Sequence, residues 1–117
     1  MPAPGPSSAT FWLFHRAILN RQQVTCRYKG QLRQVCPHIL GHKDGKETVL
    51  VYQFAGESSR GLRAKGDWRC LYLAEVQHAV TQDGQWHSAG GHSQRQQCVD
   101  DVYVDVNTNV PNQPGRR

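Results

Sequence analysis

Residues 47–76 limit the folds open to this chain more than any other stretch: ETVLVYQFAGESSRGLRAKGDWRCLYLAEV. An apolar run at 49–52 opens the stretch, and a second aromatic and aliphatic run at 68–73 closes it. Short apolar runs bounded by turn residues are typical of buried strands. Between them, residues 56–66 are rich in Gly, Ser, Arg and Lys. We therefore predict two core strands joined by a basic, glycine-rich loop, an arrangement that favours an anionic partner.

The rest of the chain predicts one helix and further strands around this pair. Phe11, Phe14 and Ile18 share one face of a helix that Ser8 or Thr10 can cap. Alternation and apolar runs predict five strands, at 24–28, 32–36, 48–54, 68–72 and 76–81. Together these elements indicate a mainly β protein built on a small, strongly bent sheet or barrel of about five strands.

Two turns and one proline shape the predicted sheet. Lys29-Gly30 and Asp44-Gly45 are typical of tight hairpin turns. Pro37 has no N–H to donate to a ladder, so the strand before it is expected to lie at an edge or to bend there.

Outside this region we predict less ordered segments around one extra strand. The predicted divisions are a disordered start at 1–8, the main domain at 9–81, a flexible loop at 82–97, a C-terminal strand extension at 98–107 and a tail at 108–117. The chain has 117 residues, enough for one domain.

Neither a secretory signal nor an apolar stretch of membrane-spanning length is recognisable, so we expect a cytoplasmic protein without a membrane partner. In that compartment the four cysteines are expected to be reduced thiols: Cys26, Cys36, Cys70 and Cys98. Fourteen Lys and Arg against nine Asp and Glu give a net charge of +5, which favours an anionic partner but also fits a solvated basic surface.

Several short motifs, in this order, resemble the WYL domain, and most of all the short single-domain WYL-like proteins of bacteria. They are Ala17-Ile18, Tyr28, the run from Arg33 to Pro37, Asp44-Gly45, Tyr52-Gln53, Ser58-Ser59 with Gly61, and Trp68-Arg69 leading to Leu73. The match covers roughly residues 11 to 81. The triplet that names the family is degenerate here, with Thr48-Val49-Leu50 as its counterpart.

The resemblance implies an SH3-like, Sm-related β-barrel preceded by a helix, and a ligand-sensing or nucleic-acid-binding role in transcription regulation. Larger members carry a helix-turn-helix reader beside this domain, and a single helix precedes the strands here. Any regulatory output is therefore expected to pass through a partner protein or through self-association.

The candidate binding residues combine cationic forks, amide and hydroxyl donors, and aromatic rings. Guanidinium groups suit phosphate or carboxylate, and aromatic rings can stack on a base. The resemblance supports an Arg and a Tyr in the pocket. The candidates are Tyr28, Arg33, Tyr52, Gln53, Ser58, Ser59, Trp68 and Arg69. Arg60, Arg63 and Lys65 add to the positive field of the loop.

A purely structural use of these residues is an open alternative. Trp68 and Tyr52 lie in predicted core strands and can simply pack there, and Arg33 can pair with Asp44 or Glu47 across a hairpin. A metal site is a weaker alternative. Its ligand sets would be Cys36 and His38 with His42, or Cys98 with His87 and His92, neither of which has the usual Cys-x-x-Cys spacing.

No nucleophile elbow, phosphate loop or paired-carboxylate pattern is present, so we expect neither an enzyme nor a cofactor. The expected function is regulatory or accessory binding of single-stranded nucleic acid or a small, nucleotide-like anionic ligand. The alternative is a protein–protein interaction module that binds no small ligand and receives a partner strand, or a second copy of the chain, at a sheet edge.

Overall fold

The computed structural model describes residues 7–56, 66–88 and 98–107. In this part of the chain the elements are α1 (Ala9–Asn20), β1 (Gln23–Tyr28), β2 (Gln31–Lys43), β3 (Lys46–Gly56), β4 (Asp67–Tyr72), a 3-10 turn (Leu73–Glu75), β5 (Val76–Gln82) and β6 (Asp101–Asp105). The predicted tail at 108–117 and most of the predicted disordered start lie outside these residues.

Helix α1 begins after a capping serine and ends at a residue with left-handed backbone. The Ser8 hydroxyl caps the first turn by accepting from the Phe11 N–H at 3.1 Å, and Glu47 of β3 accepts in turn from the Ser8 backbone N–H at 3.0 Å. Arg21 ends the helix in the left-handed conformation, with φ of 50°. The predicted helix is confirmed, and its buried face consists of Phe11, Phe14, Ala17 and Ile18.

The strands form one antiparallel sheet in the order β4-β3-β2-β1-β5, and β6 pairs with β2. Strands β4 and β5 end this path, so the sheet is not closed into a barrel. The predicted mainly β fold with one helix is confirmed, and so is the extra C-terminal strand.

Both predicted hairpin turns have left-handed backbone at two successive residues. Lys29 and Gly30 have φ of 54° and 80°, and Asp44 and Gly45 have φ of 52° and 81°. Two-residue turns of this hand match the right-handed twist of the strands that they join. The two dipeptides therefore set the β1–β2 and β2–β3 registers locally.

Strand β2 is central, so an edge position for the strand before Pro37 is wrong, and the alternative of a bend there holds. Pairing with β1 reaches Val35, and pairing with β6 begins at Ile39. Pro37, which lacks an N–H, lies between the two partners, and the β2–β3 register shifts between Pro37 and Ile39. The proline thus falls where β2 exchanges one neighbour for another.

The two faces of the sheet carry two separate apolar clusters. Val49 and Val51 of β3 point to the inner face, where α1 packs, and Leu50 points to the outer face. Ile39, Cys98 and Val99 join Leu50 on the outer face, so the segment before β6 covers it. This explains why the middle of β3 is apolar on both faces, as predicted for a central strand.

Cys70 and Cys98 form a disulfide, so the expectation of four reduced thiols is wrong for these two residues. Cys70 lies on the outer face of β4, 28 residues before Cys98 in the chain, and their Cα atoms are 5.6 Å apart. Cys26 and Cys36 are buried free thiols. The disulfide links β4 to the segment that leads into β6.

Candidate functional site

Arg33 lies on the inner face of β2, directly opposite Cys26 of β1, and it is buried with 6% of its surface exposed. Its Nη2 donates to Gln31 Oε1 at 2.8 Å, and its Nη1 donates to Gln53 Oε1 at 3.3 Å. Among the residues that the structure describes, none accepts a hydrogen bond from its Nε. A buried guanidinium with an unsatisfied donor is costly, so a functional reason for this charge is worth seeking.

Arg69 of β4 approaches the same end of the inner face. It pairs in register with Val51, two residues before Gln53, and 15% of its side chain is exposed. Burial, and after it the positive charge of Arg69, lowers the pKa of Arg33. The two guanidinium groups are therefore close enough for their charges to repel, and such like-charge contacts occur frequently at binding sites.

Asp67 offsets part of this charge. Its Oδ2 lies 3.7 Å from Arg69 Nη2, and 28% of its side chain is exposed. The Asp67 carboxylate therefore neutralises part of the positive charge of the two guanidinium groups.

Tyr28 and Gln53 complete this group, which we call the arginine cluster: Tyr28, Arg33, Gln53, Asp67 and Arg69. The Arg33 guanidinium lies 5.3 Å from the Tyr28 ring centroid. The Tyr28 hydroxyl accepts a hydrogen bond from the Tyr72 N–H at 3.1 Å. Because Arg33 lies over the Tyr28 ring and Tyr72 binds its hydroxyl, this ring supports Arg33 and leaves less surface for stacking on a base.

Arg33 pairs with neither Asp44 nor Glu47, the partners that the structural alternative named. Asp44 lies at the far β2–β3 turn, and Glu47 contacts Ser8. The hydrogen bonds of Arg33 go to the two glutamines instead.

Tyr52 and Trp68 lie on the opposite face from the arginines. They pair directly across β3 and β4, their ring centroids are 5.0 Å apart, and Cys36 is the β2 partner of Tyr52. Because successive residues of a strand point to opposite faces, Tyr52 is separated from Gln53 and Trp68 from Arg69. The six predicted residues that the structure describes therefore lie on two opposite faces of the sheet.

Ser58 and Ser59 lie outside the residues that the structure describes, as do Arg60, Arg63 and Lys65. Their predicted place at the rim of the site stays a prediction.

The outer face holds an aromatic group that sequence reasoning missed in part. His38 packs edge-to-face on Trp68, with ring centroids 4.8 Å apart, and against Trp86, with ring centroids 4.9 Å apart. Trp86 also packs against the inner apolar cluster. We call His38, Trp68 and Trp86 with Tyr52 the outer aromatic cluster. Beside it, Phe54 stacks on His87 at 4.2 Å. An isolated tryptophan at 86 in a stretch of Gly, His, Ser and Gln was the available signal that residues 83–88 pack on the sheet.

The metal alternative gains no support from side-chain placement. Cys98 is in the disulfide, and both ring nitrogens of His38 have hydrogen-bond partners. Across 7–56, 66–88 and 98–107, the His, Cys, Asp and Glu side chains form no group of three or more that could surround one ion. His92 lies outside these ranges.

Comparisons with family models, with curated proteins and with solved structures find no match to this chain. Within the described residues, no helix has the length and apolar character needed to cross a membrane.

Proposed function

We propose that this protein is a WYL-like regulatory or accessory domain that binds a nucleic acid or a small anionic ligand at the arginine cluster. The observation that carries the proposal is the buried Arg33, held beside Arg69 with its Nε unsatisfied. A structural role alone would favour an apolar side chain at this position, because a buried charge without a matching counter-charge destabilises the fold.

The ligand chemistry follows from the donors. Planar guanidinium forks bind the paired oxygens of a carboxylate or a phosphate better than a point charge does. Two guanidinium groups at one end of the inner face suit a single anionic group, such as one phosphate of a nucleotide or of a single strand. Since Tyr28 is covered by Arg33 on one face and tied to Tyr72, base stacking contributes less here than charge.

We propose that the fold behind this site is an SH3-like, Sm-related one whose sheet stays open between β4 and β5. The strand order β4-β3-β2-β1-β5, with the 3-10 turn between β4 and β5, supports it. In this arrangement the arginine cluster lies at one end of the inner face, where β2, β3 and β4 bring Arg33, Gln53 and Arg69 together.

The test is binding of a fluorescent single-stranded oligonucleotide and, separately, of adenosine monophosphate and of inorganic phosphate. Each phosphate contact on a single strand contributes roughly 0.7 to the slope of log affinity against log salt. We expect Arg33→Met and Arg69→Met each to weaken binding and to reduce that slope by roughly 0.7. Methionine is shorter than arginine but keeps an unbranched, flexible side chain, and it removes the charge.

Two further variants sharpen the test. Arg16→Met removes an exposed charge of α1 and serves as the matched control, with no change in slope expected. Asp67→Asn removes the carboxylate beside Arg69 and should strengthen binding. Oligonucleotide and nucleotide binding that survives Arg33→Met with Arg69→Met, or no binding of any of the three probes at low salt, would contradict the proposal.

The protein–protein alternative makes a different prediction. The outer edges of β4 and β5 end the sheet path, and a partner strand could pair there. If that is the function, one protein is recovered stoichiometrically from a lysate by wild type and by Arg33→Met with Arg69→Met alike, while none of the anionic probes binds.

A further inference from the structure

His38 and Ser88 form a hydrogen-bonded pair on the outer face, away from the arginine cluster. His38 Nε2 lies 3.0 Å from Ser88 Oγ, and His38 Nδ1 lies 2.8 Å from the backbone oxygen of Cys36. A carbonyl oxygen only accepts, so Nδ1 carries the ring hydrogen. In the neutral ring Nε2 then presents its lone pair to the Ser88 hydroxyl, which donates to it.

This order of contacts is the one that activates a serine for nucleophilic attack. A base hydrogen-bonded to the nucleophile, and itself held in one tautomer by a third group, is the arrangement that serine hydrolases share. Here the third group is the Cys36 carbonyl. Fifty residues separate Ser88 from His38, and no local motif surrounds either one, which is why the sequence did not reveal the pair.

The His38 ring is buried and fixed in one orientation. It lies where the β2–β3 register shifts, between Pro37 and Ile39, and only 1% of its surface is exposed. Bulges of this kind re-aim a side chain and occur frequently beside active sites. Trp68 and Trp86 hold the ring on two sides, so its orientation does not depend on Ser88.

Ser88, in contrast, is exposed, so an electrophile can reach it from solvent. A buried, fixed base next to an exposed hydroxyl is the geometry that proton abstraction during attack requires. The partly buried, apolar rings of Trp68 and Trp86 contact the ring of the base.

We propose that Ser88 and His38 form an acyl-transfer site that hydrolyses uncharged carboxylic esters with an apolar acyl group. Ser88 Oγ bonds to the ester carbonyl carbon while its proton passes to His38 Nε2. The ester C–O bond then breaks, and the leaving alcohol takes that proton. Water, deprotonated by His38, attacks the acyl-serine, which releases the carboxylic acid and restores the Ser88 hydroxyl.

The substrate class follows from the surroundings of the pair. The tryptophans favour an apolar or aromatic acyl chain, and the arginine cluster, which would hold an acidic substrate, lies on the other face of the sheet. This activity is independent of anion binding at Arg33 and Arg69.

The test uses a fluorophosphonate probe on the folded, full-length protein, followed by intact mass and peptide mapping, together with hydrolysis of p-nitrophenyl butyrate. We expect one adduct per chain, on Ser88, and its complete loss in Ser88→Ala. Because Ser88 is exposed, that variant should retain the wild-type far-UV circular dichroism. Ser7→Ala is the matched control and should label like wild type.

His38→Gln tests the base and should slow labelling and ester hydrolysis at least tenfold. Labelling of the wild type in urea also tests whether Ser88 needs His38 beside it, because unfolding separates the two residues and should abolish the adduct. This test remains available if His38→Gln does not fold. Absence of a Ser88 adduct on the folded protein, or an adduct that persists in urea or in a folded His38→Gln, would overturn the proposal. Ser88→Ala should leave oligonucleotide binding unchanged, so failure of one site is distinguishable from failure of the other.

Discussion

Gly41→Ala should release β6 from the sheet, because β2 and the β6 segment touch at this residue without room for a methyl group. A Cβ built at Gly41 would collide with the backbone oxygen of Asp101 and would lie 2.9 Å from its carbonyl carbon. It would also lie 2.7 Å from Val99 Cγ1. Since carbon atoms prefer separations of about 3.5–4.0 Å, the two backbones must move apart by roughly 1 Å.

That displacement determines how far the free energy of unfolding falls. The Asp100 N–H donates to the His42 carbonyl at 2.9 Å, next to Gly41, and an extra ~1 Å puts this bond outside the range of about 2.7–3.2 Å. Losing two or three such bonds, at about 1 kcal/mol each, lowers the free energy of unfolding by about 2–3 kcal/mol. This value agrees with the loss of about 1–3 kcal/mol that is typical when a larger side chain is placed in a packed core. Domains have only about 5–15 kcal/mol of stability in total.

The assay is urea unfolding followed by tryptophan fluorescence, with and without a reductant. The Cys70–Cys98 disulfide keeps the β6 segment near the sheet, so the loss should be larger in the reduced protein. Gly84→Ala is the control, because the three atoms nearest to its Cβ would all belong to the end of the Gln23 side chain and none to the backbone. A reduced Gly41→Ala protein that unfolds at the same urea concentration as Gly84→Ala would refute the docking of β6 described above.

Three further predictions concern stability. Phe14→Ala empties a fully buried position under the sheet and should lower the free energy of unfolding by about 3–5 kcal/mol in urea, against less than 1 kcal/mol for an exposed site. Ser8→Ala removes the cap of α1 and should cost about 1 kcal/mol in the same assay, whereas Ser8→Asn, which can also cap, should cost much less. Burial raises the pKa of the Cys26 thiol from 9.0 to about 11, so the thiol of the unfolded chain loses its proton at lower pH than that of the folded protein. The free energy of unfolding should therefore fall by roughly 1.4 kcal/mol per pH unit between pH 9.0 and about 11. Cys26→Ala should lack this part of the pH dependence, and equal slopes for the two proteins between pH 9.0 and about 11 would contradict the assignment.

Local chemistry made much of the fold predictable. The Asp44-Gly45 turn follows from residues that tolerate positive φ, and α1 follows from its spacing and its cap. Pro37 signalled a disturbance in β2 because it lacks an N–H, but whether that meant an edge or a bend depended on β6, which lies more than sixty residues later. Neighbour choice is a long-range property that no local pattern encodes.

The site was less predictable for a related reason. Alternation along a strand already places Gln53 opposite to Tyr52, and Arg69 opposite to Trp68, so one shared pocket could have been rejected from parity alone. The residue that faces Arg33, however, depends on the β2–β3 register and its shift between Gln34 and Val35. One residue of slip would have put other side chains beside that guanidinium.

The sequence by itself determined the mainly β class, the helix and the two tight hairpins, because each depends on residues within a few positions of one another. Only the tertiary structure decided that Cys70 meets Cys98, that Arg33 lies beside Arg69, and that Ser88 reaches His38. Such contacts arise when distant strands and loops pack together, and packing is chosen by the whole apolar surface of the chain and not by the residues that happen to touch.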